Sequence, residues 1–244
     1  VIYILIGLCG IAAGAISGVV GTGSSIILLP VLSLAFGPKA AIPIMAVASI
    51  AGNASRVLAW RRQINVRAFA WYTVAAVPAA VLGVRTLWIM PPDVSNLCIG
   101  LFFFVLIVLR RASRTRAMRL GPRQMALAGG IVGYLTGVVY STGPLTIPIF
   151  AGFGLAKGAL LATEAAASIA VYLAKALAFG AVGGLPLPVL CNGLVVGAAL
   201  ALGTFAGKRF VLGMSEATFR LLIDLMLACA GLAMTGNALF CLAR

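Results

Sequence analysis

The sequence predicts an all-α polytopic membrane protein made of two sequence-related halves. The halves are expected to be inverted-topology repeats, each a broken or re-entrant hairpin followed by three spanning helices. Three observations lead there. Of 244 residues, 63% are hydrophobic and only 9% are charged, and the mean hydropathy is +1.16. A water-soluble domain cannot hide that much apolar surface. Next, the chain repeats itself. Ala48-Ser49-Ile50-Ala51 recurs as Ala167-Ser168-Ile169-Ala170, an offset of 119 residues. The same offset carries Gly14 onto Gly133, Gly18 onto Gly137, Arg56 onto Lys175 and Asn53 onto Tyr172. Duplicated halves are a feature of secondary transporters, whose substrate site lies near the bilayer midplane where the repeats meet. Finally, the basic residues are asymmetrically placed. Inverted halves put twelve on one side: Arg61, Arg62, Arg67, the connector arginines 110, 111, 114, 116, 119 and 123, Lys157, Lys208 and Arg209. The other side receives Lys39, Arg85 and Arg244. Under the positive-inside rule the rich side is cytoplasmic.

In chain order, Val1–Val20 is apolar and glycine-rich. It lacks the basic flank and small-residue cleavage site of a signal peptide and is expected to belong to the first membrane segment. Gly21-Thr22-Gly23-Ser24-Ser25 interrupts it. Ile26–Phe36 is about 16 Å long as a helix, too short for a hydrocarbon core of roughly 30 Å. Gly37-Pro38 turns the chain, and Ala40–Trp60, Ala68–Met90 and Val94–Leu109 are spans. The second half repeats this order. Gln124–Val139 is apolar, Tyr140-Ser141-Thr142-Gly143-Pro144 interrupts, Leu145–Phe153 is short, and Ala159–Phe179, Leu187–Phe205 and Ala217–Phe240 are spans. The whole is expected to be one membrane transport domain, 1–244, with repeat one at 1–109, the basic connector at 110–123 and repeat two at 124–244.

Several function classes fall away. The net charge of +14 sits in short loops between apolar spans, which does not call for a nucleic-acid partner; the bilayer is the expected one. Five scattered cysteines without Cys-x-x-Cys and a complete lack of histidine offer no metal site, cofactor ligand set or thiol relay. Without histidine or paired acids there is no catalytic constellation, so no enzyme is expected. No Walker motif is present to supply ATP drive. Oligomeric state is left open, a homo-oligomer included.

The two interruptions are the candidate substrate site. A glycine- and hydroxyl-rich stretch opening a short helix presents backbone N–H groups without intrahelical partners, at the positive end of the helix dipole. Gly21, Thr22, Gly23, Ser24 and Ser25 form one such end, with Ser24 or Ser25 as the cap. Ser141, Thr142 and Gly143 form the other, with Thr142 as the cap and Pro144 in the first turn. Together they make an anion cradle. Arg56 and Lys175, repeat-matched and about one turn from their helix ends, either snorkel to the interface or draw an anion inward. Asn53 and Tyr172 offer neutral hydrogen bonds. Glu164 lies two turns inside its span opposite Met45 in the repeat, and is the preferred proton-coupling candidate, with Asp224 the second. Asp224 also stands one turn after Arg220 and can pair with it.

Gly14-x3-Gly18-x2-Gly21-Thr22-Gly23, then Ile26–Pro30, Ala46-x2-Ser49 and Arg61-Arg62, resembles the TauE/SafE family of sulfite exporters. Gly133-x3-Gly137 through Pro148 and Ala165–Ser168 resembles its second half. The resemblance implies an inner-membrane, multi-pass transporter of small sulfur-containing anions, of the sulfite or organosulfonate class, working in export. A passive anion channel, a proton-coupled importer of a related oxyanion and a non-transporting scaffold subunit are the alternatives.

Overall fold

The computed structural model describes residues 7–14, 24–112, 119–139 and 142–212, with isolated helical residues at 225, 228, 232, 235 and 236. Helix α1 covers residues 7–14. It is followed by α2 (Ser24–Phe36), α3 (Pro38–Trp60), a 3-10 turn (Arg61–Gln63), α4 (Val66–Ile89) and α5 (Pro92–Ala112). After the connector come α6 (Pro122–Val139), α7 (Gly143–Gly152), α8 (Lys157–Ala181) and α9 (Leu187–Leu212). Among the described residues there is no strand.

Local chemistry sets the boundaries. Gly37 adopts a φ of +78°, which only glycine takes readily, and Pro38 opens α3 behind it. The Asn65 side chain accepts a hydrogen bond from Ala68 N at 2.9 Å and caps α4. Gly183, at φ +74°, turns the chain after α8. Among the described residues, three segments are long and apolar enough to cross a membrane: Lys39–Leu58, Val66–Ile89 and Gly158–Ala181, with mean hydropathies of 1.4, 1.4 and 1.5. Helices α2 and α7, at 13 and 10 residues, rise only about 20 and 15 Å and cannot cross alone.

The short helices begin earlier than the sequence suggests. Ser24 and Ser25 are the first two residues of α2, so neither stands ahead of the helix as its cap. Gly143 and Pro144 likewise belong to the first turn of α7, and only Thr142 occupies the cap position. Gly21, Thr22, Gly23, Ser141 and Asp224 lie outside the described residues.

The principal helix contacts run between the halves. Helix α3 packs on α8 and α9, and α4 packs on α6 and α8. Glycines make the close approaches. A Cβ at Gly129, Gly133 or Gly137 of α6 would strike the backbone of Tyr72, Ala76 or Ala80 in α4. A Cβ at Gly14 would strike the Leu200 backbone in α9, and one at Gly203 would strike that of Ile11. This is the small-residue seam by which membrane helices approach. Gly14 and Gly133, matched in the repeat, thus make equivalent contacts with helices of the opposite half.

Loops gather at two ends. At one, Lys39 Nζ lies 5.7 Å from the Trp88 ring centre, and Gly184 packs against Trp88 and Phe179. At the other, Leu120 N donates to Gly152 O at 2.8 Å, Asn65 N donates to Thr163 Oγ1 at 2.9 Å, and Gly158 packs on Trp60 and Gln63. Arg61, Arg62, Arg67, Arg119 and Arg123 are exposed at this second end; Lys39 and Arg85 are exposed at the first.

The polarity of the surface is inverted relative to a soluble protein. On α3, Arg56 is 8% exposed while Leu58 is 68% exposed. On α8, the repeat-matched Lys175 is 0% exposed and Leu177 is 75% exposed. Charges face inward and leucines face outward, as lipid requires. The buried glycine seam makes a direct test possible. Gly133→Val is expected to abolish folded, monodisperse protein in detergent, because its branched side chain meets Ala76 backbone. Gly130→Ala on the adjoining face, where the new methyl reaches only the Ala75 side chain at 3.7 Å, is expected to elute and melt as the native protein does.

Candidate functional site

Polar side chains that the sequence scatters over four helices converge on one seam inside the bundle. Its first part lies between the repeat-matched helices α3 and α8. Arg56 Nη1 donates to Glu164 Oε2 at 3.0 Å, a salt bridge with both side chains buried. Its Nη2 donates to Asn53 Oδ1, and Asn53 Nδ2 donates to the Ser49 carbonyl at 2.8 Å. These positions fall on one face of α3 because residues three and four apart are stacked on a helix.

The other Glu164 oxygen is also occupied. Ser168 Oγ, one turn on, donates to Oε1 at 2.9 Å. Thr146 Oγ1 of α7 sits 3.1 Å from the same oxygen and 2.9 Å from the Gly143 carbonyl. The carboxylate therefore ties α3, α7 and α8 together.

The second part lies three turns along α8. Lys175 Nζ donates to the Thr136 carbonyl at 2.5 Å. Thr136 is in the last turn of α6, where carbonyls have no intrahelical partner, so the lysine caps that end and meets its negative dipole. Thr136 Oγ1 donates to the Val132 carbonyl at 2.6 Å, which makes the Thr142 hydroxyl the donor in the Thr136–Thr142 bond. The first turn of α7, from Thr142 to Thr146, joins the two parts. A continuous polar path runs from Lys175 through Thr136, Thr142, Thr146 and Glu164 to Arg56.

Several expectations change. Arg56 does not snorkel; it is buried and paired with Glu164. Thr142 does not cap α7 with its side chain, because its hydroxyl is engaged by Thr136. Leu145 N and Thr146 N both donate to the Thr142 carbonyl, at 2.8 and 3.3 Å, and Pro144 has no N–H. That leaves Gly143 as the N–H donor of this turn, a sparser cradle than the sequence suggests. Tyr172 is half-buried against the apolar cluster built on α2 and α3. Thr136, Thr146, Ser49 and Ser168 were not selected from sequence. Ser49 and Ser168 stand inside the most visible repeat match, and Ser168 follows Glu164 by one turn. Thr146 follows Thr142 by one turn. Among the described residues no cluster of His, Cys, Asp or Glu suits a metal. Two surface hollows, one lined by Ala75, Gly130 and Tyr134, the other by Trp71 and Arg123, lie away from the seam.

A family model for the sulfite exporter TauE/SafE matches residues 6–234. The chain is a member of the TauE/SafE family. No curated protein and no solved structure matches it. TauE/SafE proteins are membrane transporters of sulfite-class sulfur anions rather than enzymes, and the inward-facing charges of this chain stand in a TauE/SafE membrane domain.

Breaking the ion pair from one side should be costly. Glu164→Ala strands a buried guanidinium and is expected to lower stability by about 3–5 kcal/mol. The paired replacement Arg56→Met with Glu164→Leu removes both charges and is expected to recover most of that loss. Thermal unfolding in one detergent checks both, and equal melting of the single variant and the native protein would contradict the buried pair.

Proposed function

We propose that this protein is a secondary transporter that carries sulfite or an organosulfonate across the inner membrane, in export, with the anion held along the first turn of α7 between Lys175 and Arg56. The observation that carries the reading is the inward placement of two repeat-matched cations. A buried lysine and a buried arginine are held at great desolvation cost inside a bundle whose outer face is leucine, and both stand on one path of hydroxyls. Sulfite and sulfonates present three oxygens, which suit the hydroxyls of Thr136, Thr142 and Thr146 and the Gly143 N–H as well as the cations. Such binding must stay weak enough for release. The glycine and serine positions at the start of α2 would supply the matching donors from the first half, and Asn53 and Tyr172 flank the path.

The halves are read as inverted repeats. The turn before α3 and the turn after α8 share one end, while the turn after α3 and the turn before α8 share the other, as inverted topology requires. The arginine-rich end is then cytoplasmic.

Uptake of labelled sulfite into proteoliposomes tests the function, with sulfate and chloride as competitors. Lys175→Gln should lower sulfite affinity by about tenfold or more, the worth of a charge-assisted hydrogen bond of about 1.5–3 kcal/mol. Gly143→Val, which fills the space at the start of α7, should lose sulfite binding in protein that still inserts. Normal affinity in both variants would move the anion elsewhere, and the absence of any sulfur-anion flux would end the reading. For topology, single cysteines introduced at Ala117 and Leu185 should label from opposite sides; labelling of both from the cytoplasm would exclude inversion.

A further inference from the structure

We infer that the Glu164 carboxylate is a resident stand-in for the transported anion. It holds Arg56 while the site is empty and must take up a proton before the anion can replace it. The inference rests on the transport reading above. It begins from what Arg56 already binds: a small oxyanion, tethered to α8, bound through one oxygen to the guanidinium and through the other to two hydroxyls. That is the set of contacts expected for a carried oxyanion in the same place. The seat is taken by the protein's own carboxylate.

Charge neutrality then governs the cycle. Arg56 is buried among helices surrounded by lipid, where an uncompensated charge of either sign is strongly disfavoured. Lys175 stays on the Thr136 carbonyl three turns along α8 and carries the same charge in every state, so the balance is that of the Arg56–Glu164 pair. Arg56 with ionised Glu164 is neutral. Arg56 with ionised Glu164 and an added monovalent anion carries a net negative charge. Arg56 with the anion and protonated Glu164 is neutral again. The balanced step is uptake of one proton by the Glu164 carboxylate, breaking of its bond to Arg56 Nη1, and formation of a bond from that nitrogen to the anion. Protonated Glu164 keeps one oxygen for the hydroxyls of Thr146 and Ser168 and gains an O–H donor of its own. One proton and one anion therefore enter the site together, and the Arg56–Glu164 pair is neutral both loaded and empty. Export runs when the outward anion gradient exceeds the inward proton gradient. Only one half carries such an acid, because the repeat-matched position is Met45, buried in the apolar core, so this site takes one proton per anion.

Among the described residues the surroundings offer no competing acid. The groups facing Glu164 are Arg56 from α3 and Tyr72 from α4, with Tyr172 and Lys175 further along α8 itself. Helix α7 brings no ionisable side chain. Thr146 has a mechanical role here. It binds Glu164 from the first turn of α7, so the protonation that frees Arg56 also changes the bond that ties the short helix to α8.

The experiment is flux in proteoliposomes with methanesulfonate, which stays a monovalent anion across the pH range, alongside sulfite. Native protein should accumulate methanesulfonate against its gradient when the opposite compartment is acid. It should not respond to a valinomycin-imposed potential at equal pH, since a neutral pair moves. Apparent affinity should fall as the pH rises, by up to about tenfold per pH unit. Glu164→Gln mimics the protonated acid. It should retain methanesulfonate exchange, lose the pH dependence of affinity and the acid-driven accumulation, and become responsive to potential. Glu164→Asp should restore pH drive. Potential-driven flux in the native protein, or unchanged acid-driven accumulation in Glu164→Gln, would overturn the inference while leaving sulfur-anion transport standing. Absence of methanesulfonate and sulfite exchange altogether would overturn both readings. The potential and pH measurements on native protein decide the matter even if the variants fail to fold.

Discussion

A charge in a lipid-surrounded bundle has no water outside to turn to, and the organisation of this protein follows from where it sends Arg56, Glu164 and Lys175. The exposed Leu58 follows Arg56 by two positions, and the exposed Leu177 follows Lys175 by two. Each helix therefore presents its cation to the interior and its leucine to lipid within a single turn. Once inside, the cations need acceptors, and the bundle must bring acceptors to them. Glu164 meets Arg56 across the α3–α8 contact, and the end of α6 meets Lys175 with a backbone carbonyl. The crossing of α3 and α8 is thus an electrostatic requirement as much as a packing solution.

The glycine seams serve that requirement. Lipid supplies no hydrophobic drive for helices to associate, so close backbone approach and interhelical polar contacts must hold them. Gly129, Gly133 and Gly137 let α6 lie against α4, and Gly14 and Gly203 let α1 lie against α9. With α6 fixed on α4, its C-terminal carbonyls arrive at Lys175 and the short α7 begins beside them. The arrangement interleaves the two halves: each contributes helices that complete the packing of the other. The proposed site is thus bordered by helices of both halves, α3 from the first and α6, α7 and α8 from the second.

The short helices α2 and α7 add what the spanning helices cannot. A helix that ends within the membrane leaves backbone donors and acceptors that must be met inside the protein. At the start of α7 most are met locally, by the Thr142 carbonyl and by a proline that removes one donor. The hydroxyls at positions 142 and 146 remain as the polar surface of the turn. The first turn of α7 links the Arg56–Glu164 pair to Lys175, three turns away along α8, within a core that is otherwise apolar.

Much of the helix order was legible from sequence, because it depends on quantities carried by each segment alone. Apolar length, Gly-Pro and Pro-Pro turns and the 119-residue offset predict α3, α4, α8 and α9 to within a few residues at most ends. The buried cations were legible as candidates for the same reason: a charge in an apolar run is anomalous wherever it lies. Their partners were not. Nothing in the chain joins Arg56 to Glu164 across 108 residues, since a salt bridge depends on the rotation and crossing of two helices rather than on spacing. The cap assigned to Thr142 failed for a related reason. A hydroxyl free to cap its own helix in isolation was claimed by Thr136 from a neighbouring one. Sequence by itself determined which groups this protein must keep away from lipid. Tertiary structure alone decided which of them satisfy one another, because that choice is made by distances between helices.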